Sequence, residues 1–321
     1  MEAYSSVGIC SVRDFFTSVI VPDMQFRPPT RKDALRAIGS MEGLSSAVKR
    51  ALYPAGAFDR VPQPEPGDWL AEHSETGQPF DEFVGTDINR PDTLRNSVYL
   101  QSLGQFCEEH SLSCEMLRRC AAAFFSLQVK ILPPMDVAVG TFETRINPSI
   151  GNSQILTSDV LSFLMGYVPD DAVCILAITM EDLYPHPSWN FVFGQASLRN
   201  RVGVFSFARY DPTFYGGERE ADYRHILLRR SCKVLIHETA HMFSLSHCIY
   251  FRCVLNGSNH LVESDARPLF FCPVCLRKLQ YSIGFDIVAR YRNILNFCKN
   301  AGFDDDARWV SNRLKRFAGD E

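Results

Sequence analysis

No stretch of this 321-residue chain is apolar for long enough to cross a bilayer. The longest such run, residues 172–180, falls far short of the ~20 residues a helical span requires. Basic residues are not in excess either: 33 Lys and Arg stand against 37 Asp and Glu, for a net charge of −4. The overall field therefore gives no reason to expect a nucleic-acid or anionic-membrane partner. The chain opens Met-Glu-Ala, without a basic region followed by an apolar core, so no secretory signal is expected. Internal repeats and low-complexity tracts are missing as well. What remains is an ordinary soluble composition, 46% hydrophobic and 22% charged, for one large domain or two smaller ones. Eleven cysteines, an odd number without a signal, argue for reduced thiols and metal ligands in the cytosol or nucleus.

Residues 236–248 read I-H-E-T-A-H-M-F-S-L-S-H-C. On a helix, His237 and His241 sit one turn apart and face the same way, so both can reach one metal ion. Glu238 points about 100° round the helix, beside the metal rather than at it, where a general base for an activated water belongs. His247 is too far along to share that face, so the chain must turn and bring it back as third ligand. Three histidines leave a fourth tetrahedral position open, which distinguishes a working zinc from a structural one.

Cys248 follows at once, then Cys253, Cys272 and Cys275. This C-x₄-C…C-x₂-C spacing matches a closed Cys₄ structural zinc site. The expected cofactors are therefore two zinc ions. Adjacency of His247 and Cys248 means that a cysteine clamp would also fix the turn presenting the third histidine. The other cysteines, Cys10, Cys107, Cys114, Cys120, Cys174, Cys232 and Cys298, show no ligand spacing and read as ordinary thiols.

Residues 31–52 have helical periodicity weakened by two glycines. Residues 54–91, rich in Pro, Gly and acids, read as an extended layer, either over a cleft or against the outer face of a sheet. Strands are expected at 97–103, 129–132, 137–140, 172–180, 191–196 and 202–207, with a turn at 199–201. Helices are expected at 113–127, 154–168 and 223–245. The alternation predicts an α/β (α+β) fold, a mixed, mostly parallel sheet with flanking helices, one of them the zinc helix.

The joined motifs, His237 through His247 followed directly by four cysteines, resemble those of the archaemetzincins, a branch of the metzincin zinc peptidases. I-T-M-E-D-L-Y-P at 178–185, W-N-F-V-F-G-Q-A-S at 189–197 and C-P-V-C-L-R-K-L-Q at 272–280 look like the second of the two animal branches of that family. The resemblance implies a metzincin-like fold in three parts: an N-terminal extension (1–95), an upper catalytic subdomain ending in the zinc helix (96–247), and a small lower subdomain with the Cys₄ zinc and C-terminal helices (248–321). It also implies a cleft strand, 191–196, that pairs with an extended peptide. Two positions depart from the family pattern. Ser244 replaces the glycine whose left-handed conformation lets the third histidine swing back, and Leu255 replaces a methionine beneath the zinc.

The reading is zinc-dependent peptide hydrolysis on a peptide or protein substrate by a monomer, with cleavage at an N-terminus or within a chain left open. Tyr281 and His260 are candidates to stabilise the oxyanion. The alternative is a zinc-stabilised binding protein, weakly active or inactive because Ser244 misplaces His247. A third reading, a nucleic-acid zinc finger, has only Arg277 and Lys278 in support and the acidic charge against it.

Overall fold

The structure, a computed structural model, describes residues 26–54, 56–104, 113–139 and 141–317. Short helices come first: α1 (Arg31–Arg36), α2 (Ser46–Leu52), α3 (Trp69–Glu72) and α4 (Phe80–Val84). The single helix expected over 31–52 is two, because Gly39 and Gly43 take φ of +77° and +72°, left-handed values that terminate a helix. Ser45 then starts α2 afresh, its hydroxyl accepting from the Val48 N–H at 3.3 Å, as an N-cap does.

The central elements are β1 (Ser97–Leu103), α5 (Cys114–Phe125), β2 (Gln128–Met135), β3 (Thr144–Ile146), β4 (Ser153–Leu156), α6 (Thr157–Met165), β5 (Ala172–Thr179), β6 (Asp182–Tyr184), β7 (Gly194–Ala196) and β8 (Val202–Ser206). The main sheet has the order β2–β1–β5–β8–β7. Its strands are parallel except β7, which runs antiparallel to β8 at the edge. β5 reads A-V-C-I-L-A-I-T and is buried throughout, as a parallel strand covered on both faces must be. Cys174, Leu176 and Ile178 pack into one core with α5 residues Leu117 and Phe124. Ile175 and Ala177 join Val160 and Leu164 of α6 on the other face.

The expected helix over 154–168 begins three residues late. Gln154–Leu156 pair with β6, and the Gln154 amide donates to Asp182 Oδ2 at 2.8 Å. A short apolar stretch fits either period, so this tertiary pairing decides the matter. Residues 137–139 close a 3₁₀ turn rather than a strand. Of 191–196, only Gly194–Ala196 enters the sheet ladder; Val192 instead bridges Leu183.

The chain continues through α7 (Tyr223–Met242), α8 (Leu261–Ala266), α9 (Pro273–Ile283), α10 (Ile287–Asn300) and α11 (Asp304–Phe317). α7 carries His237, Glu238 and His241, and it stops at Met242 rather than at residue 245. Ser244 adopts φ +66°. Its N–H donates to His241 O at 2.8 Å and the Leu245 N–H reaches Ala240 O at 3.3 Å. These two bonds form a Schellman cap, here with serine where glycine usually stands. Left-handed serine costs ~1 kcal/mol, which its hydroxyl offsets by donating to Asp87 O at 3.2 Å and accepting the Asn89 N–H at 3.3 Å. The Asn89 side chain completes the cap, donating to Met242 O at 2.8 Å.

Replacing Ser244 by alanine should therefore keep the strain, lose both hydroxyl bonds and destabilise the protein by ~1–3 kcal/mol. Glycine at the same position should cost ~1 kcal/mol less than alanine, since it relaxes the turn. Urea titration of both variants checks this; an alanine variant as stable as wild type contradicts it.

Candidate metal centre

The turn at Ser244 brings His247 back over the face of α7. His241 Nε2 lies 3.0 Å from His237 Nε2, which in turn lies 3.2 Å from His247 Nε2. Three tetrahedral zinc ligands at 2.0–2.1 Å would stand ~3.3 Å apart, so the donor set fits a zinc ion with little adjustment. The other ring nitrogens all face acceptors. His237 Nδ1 is 2.9 Å from Val254 O, His241 Nδ1 is 2.6 Å from Leu245 O, and His247 Nδ1 is 2.9 Å from Glu75 Oε1. Carbonyls and a carboxylate only accept, so each Nδ1 carries the proton and each Nε2 lone pair points inward. Burial, with His247 beside it, pushes the His241 imidazole down to about 3, and burial likewise holds His237 well below its usual range. Both are neutral at pH 7, the state in which imidazole binds a metal.

Glu238 is fully buried, and neither carboxyl oxygen has a hydrogen-bond partner among the described residues. Burial pushes this carboxyl well above the ordinary range, with the Arg267 guanidinium opposing the shift. A buried carboxylate without partners is costly; a cation at the adjacent histidines is what would stabilise its charged form. Its room comes from β7. A Cβ on Gly194 would lie 2.8 Å from Glu238 Oε1 and 2.9 Å from Cδ, so the carboxyl rests on bare backbone. Arg267, also buried, places Nη1 3.3 Å from His237 Nδ1 and bonds Asn256 O and Ser264. Leu255 is fully buried next to Val254, whose carbonyl faces His237.

The N-terminal layer lies against this centre. The Trp69 ring meets His247 edge-on at 5.0 Å and stacks on His73 at 3.8 Å, and His73 stacks in turn on Trp189 at 5.6 Å. Arg145 fixes the loop carrying Trp189 by donating to Pro187 O at 2.8 Å and Asn190 O at 2.9 Å. Gln78 spans the turn before His247: it donates to Ser244 O at 3.2 Å and accepts from the Ser246 N–H at 3.1 Å. None of Glu75, Gln78, Asn89, Gly194 or Arg267 belongs to a spacing motif. The only hint of the first three was the acidic, turn-rich character of residues 54–91.

Cys248, Cys253, Cys272 and Cys275 are buried and form a second group able to hold a metal. Cys248 Sγ is 3.5 Å from Cys272 Sγ, against ~3.8 Å for thiolates around a tetrahedral zinc. The Cys272 N–H points at Cys253 Sγ, 3.3 Å away. Cys114, Cys120, Cys174, Cys232 and Cys298 are free thiols elsewhere; Cys10 and Cys107 lie outside the described residues.

A third group, Asp68, His260 and Glu263, is accounted for by fastening α3 to α8. His260 Nδ1 accepts the Glu263 N–H at 3.2 Å, so Nε2 bears the proton and donates to Asp68 at 3.1 Å. Glu263 accepts from the N–H groups of Trp69 and Asn259. That arrangement occupies the His260 ring, one of the two residues considered for the oxyanion. The other, Tyr281, packs edge-on against Phe80 and under Arg90.

Two buried donor sets, one of three imidazoles beside a carboxyl and one of four thiols, follow each other along the chain. In keeping with that, residues 122–281 match the model of Peptidase family M54. Archaemetzincin-2 of Macaca fascicularis is 41% identical over 283 residues, 79% of each chain, and that of Homo sapiens is 39% identical over 82% of this chain and 81% of its own. Archaemetzincin-1 of Mus musculus is 34% identical over 71% of this chain and 51% of its own. Among solved structures, an archaemetzincin from Methanopyrus kandleri overlays 60% of this chain and 97% of its own, with TM-score 0.47 and 26% identity. The chain belongs to the archaemetzincins, and is thereby a metallopeptidase. No helix of the described residues is long and apolar enough to cross a membrane.

Alanine at Gly194 should displace the Glu238 carboxyl and lower kcat by ~10²-fold, the scale of a ~1 Å misplacement, with metal content unchanged. Peptide-cleavage kinetics beside metal analysis test this. Wild-type kcat in the alanine variant would remove Gly194 from the account.

Proposed function

We propose that the chain hydrolyses peptide bonds at a zinc ion held by His237, His241 and His247, with Glu238 as general base. The observation that carries this reading is the convergence of three Nε2 atoms, those of His241 and His247 lying 3.0 and 3.2 Å from that of His237, beside a buried carboxyl with no hydrogen-bond partner among the described residues. A zinc ion bound there supplies Lewis acidity, polarising the scissile carbonyl and lowering the pKa of a water to ~7. Glu238 takes the proton of the attacking water and delivers it to the departing amine nitrogen. Its position against Gly194 directs the carboxyl rather than leaving it to rotate. Arg267 keeps positive charge behind His237, and Val254 O and Leu245 O hold two of the rings in register.

A second zinc at Cys248, Cys253, Cys272 and Cys275 has a structural role in this reading. It anchors the start of the lower subdomain, residues 248–321, and with it the chain that leaves His247. Residues 96–247 form the upper subdomain and residues 1–95 the extension, in a metzincin-like arrangement. β7 is the antiparallel edge strand of the main sheet and lies against Glu238, which supports docking of an extended peptide substrate along it by strand addition. The alternative, an impaired binding protein, rests on Ser244. With Ser244 in the left-handed turn, His247 Nε2 stands 3.2 Å from His237 Nε2, and this favours the active reading.

Glu238→Ala should reduce turnover by at least ~10²–10⁴-fold, the share general-base catalysis supplies, while the protein retains both zinc ions. Kinetics on a peptide library with zinc analysis of the same preparation check it. Cleavage at the wild-type rate would take Glu238 out of the mechanism.

A further inference from the structure

The three imidazoles are oriented by unlike partners. His237 and His241 each give their Nδ1–H to a backbone carbonyl from nearby in the chain, Val254 O and Leu245 O. His247 gives its own to the carboxylate of Glu75 at 2.9 Å, from a segment far away in sequence and outside the family-matched residues 122–281. Glu75 is itself held in place: the same oxygen accepts the Trp69 indole N–H at 3.1 Å, and Trp69 packs edge-on against His247.

Two physical reasons give this contact weight. His247 lies beyond the end of α7, so helical spacing does not aim its ring as it aims the other two. Charge is the second. Arg267 is buried with Nη1 3.3 Å from His237 Nδ1, adding a positive charge to a centre that would hold a divalent cation among neutral ligands. An anionic partner on one imidazole counters that charge and raises the basicity of the ligand nitrogen.

We propose that Glu75 is a positioning residue of the metal centre, and that the N-terminal layer around it, tied to the same turn by Gln78 and Asn89, is an integral part of the site rather than a covering. This inference rests on the metallopeptidase reading given above. Outer partners of ligating histidines typically contribute 10–100-fold to metal affinity. Glutamine at position 75 can still accept the Nδ1–H but carries no charge, whereas alanine removes both contributions.

The test uses full-length protein, stripped of metal and titrated with Co²⁺ in competition with a chelator. Thiolate charge-transfer absorption reports the cysteines, and Co²⁺ bound beyond that signal, counted by metal analysis, reports the histidines. Glu75→Ala should weaken loading of the histidine centre by ~10–100-fold, Glu75→Gln by less, with the cysteine signal unchanged in both. Equal loss at both centres in the isosteric Glu75→Gln would show a role in folding alone and overturn the proposal, as would wild-type affinity in both variants. Should Glu75→Ala fail to fold, the glutamine variant decides: an unchanged histidine-centre affinity overturns the proposal and a selective loss supports it. Wild-type protein that loads only its cysteines would overturn the peptidase reading itself, whereas full loading with unaffected variants sinks the Glu75 assignment alone.

Discussion

Everything at this centre depends on returning a third imidazole to a helix face that has already ended. Two histidines one turn apart need only the pitch of α7. The third needs the chain to reverse within five residues and to hold that reversal inside a buried site. The left-handed turn at Ser244, φ +66°, performs the reversal, and bonds from Asp87, Asn89 and Gln78 hold it. A serine at such a cap carries a conformational cost that glycine does not, and this chain offsets it with contacts only a hydroxyl can make. The helix end, the layer before β1 and the third imidazole thus form one cooperative unit, in which a change at one position is felt at the others.

Electrostatics draws the same elements together. Burial drives His237 and His241 toward their neutral forms and Glu238 toward its protonated form. That combination is suited to receiving a cation: imidazoles release no proton on binding, and the carboxyl ionises as positive charge arrives. Two further charged groups reach the outer side of the rings, Arg267 at His237 and Glu75 at His247. The centre is best understood as a balanced set of charges in a dry environment, and its geometry is a consequence of satisfying them.

The parts legible in the sequence were those that repeat with a local period or a short spacing. The H-E-x-x-H pair and the C-x₂-C pair announce themselves because a helix turn and a thiolate knuckle fix their neighbours within a few residues. β5 was equally plain, since eight apolar or β-branched residues in succession suit a strand covered on both faces. The failures have physical causes too. Gln154–Leu156 reads like the first turn of α6, and only pairing with β3 and β6 makes it a strand. The run over 31–52 was divided by left-handed glycines whose effect depends on what each half packs against. Glu75, Gln78 and Asn89 act across more than 150 residues of sequence, and Gly194 matters only because a carboxyl from another element rests on it. No local pattern encodes such contacts.

Metal stoichiometry tests the central claim most directly. Native mass spectrometry of the purified full-length protein should show two zinc ions per chain. A chain that carries one zinc ion, or none, under conditions where it is folded would contradict the account.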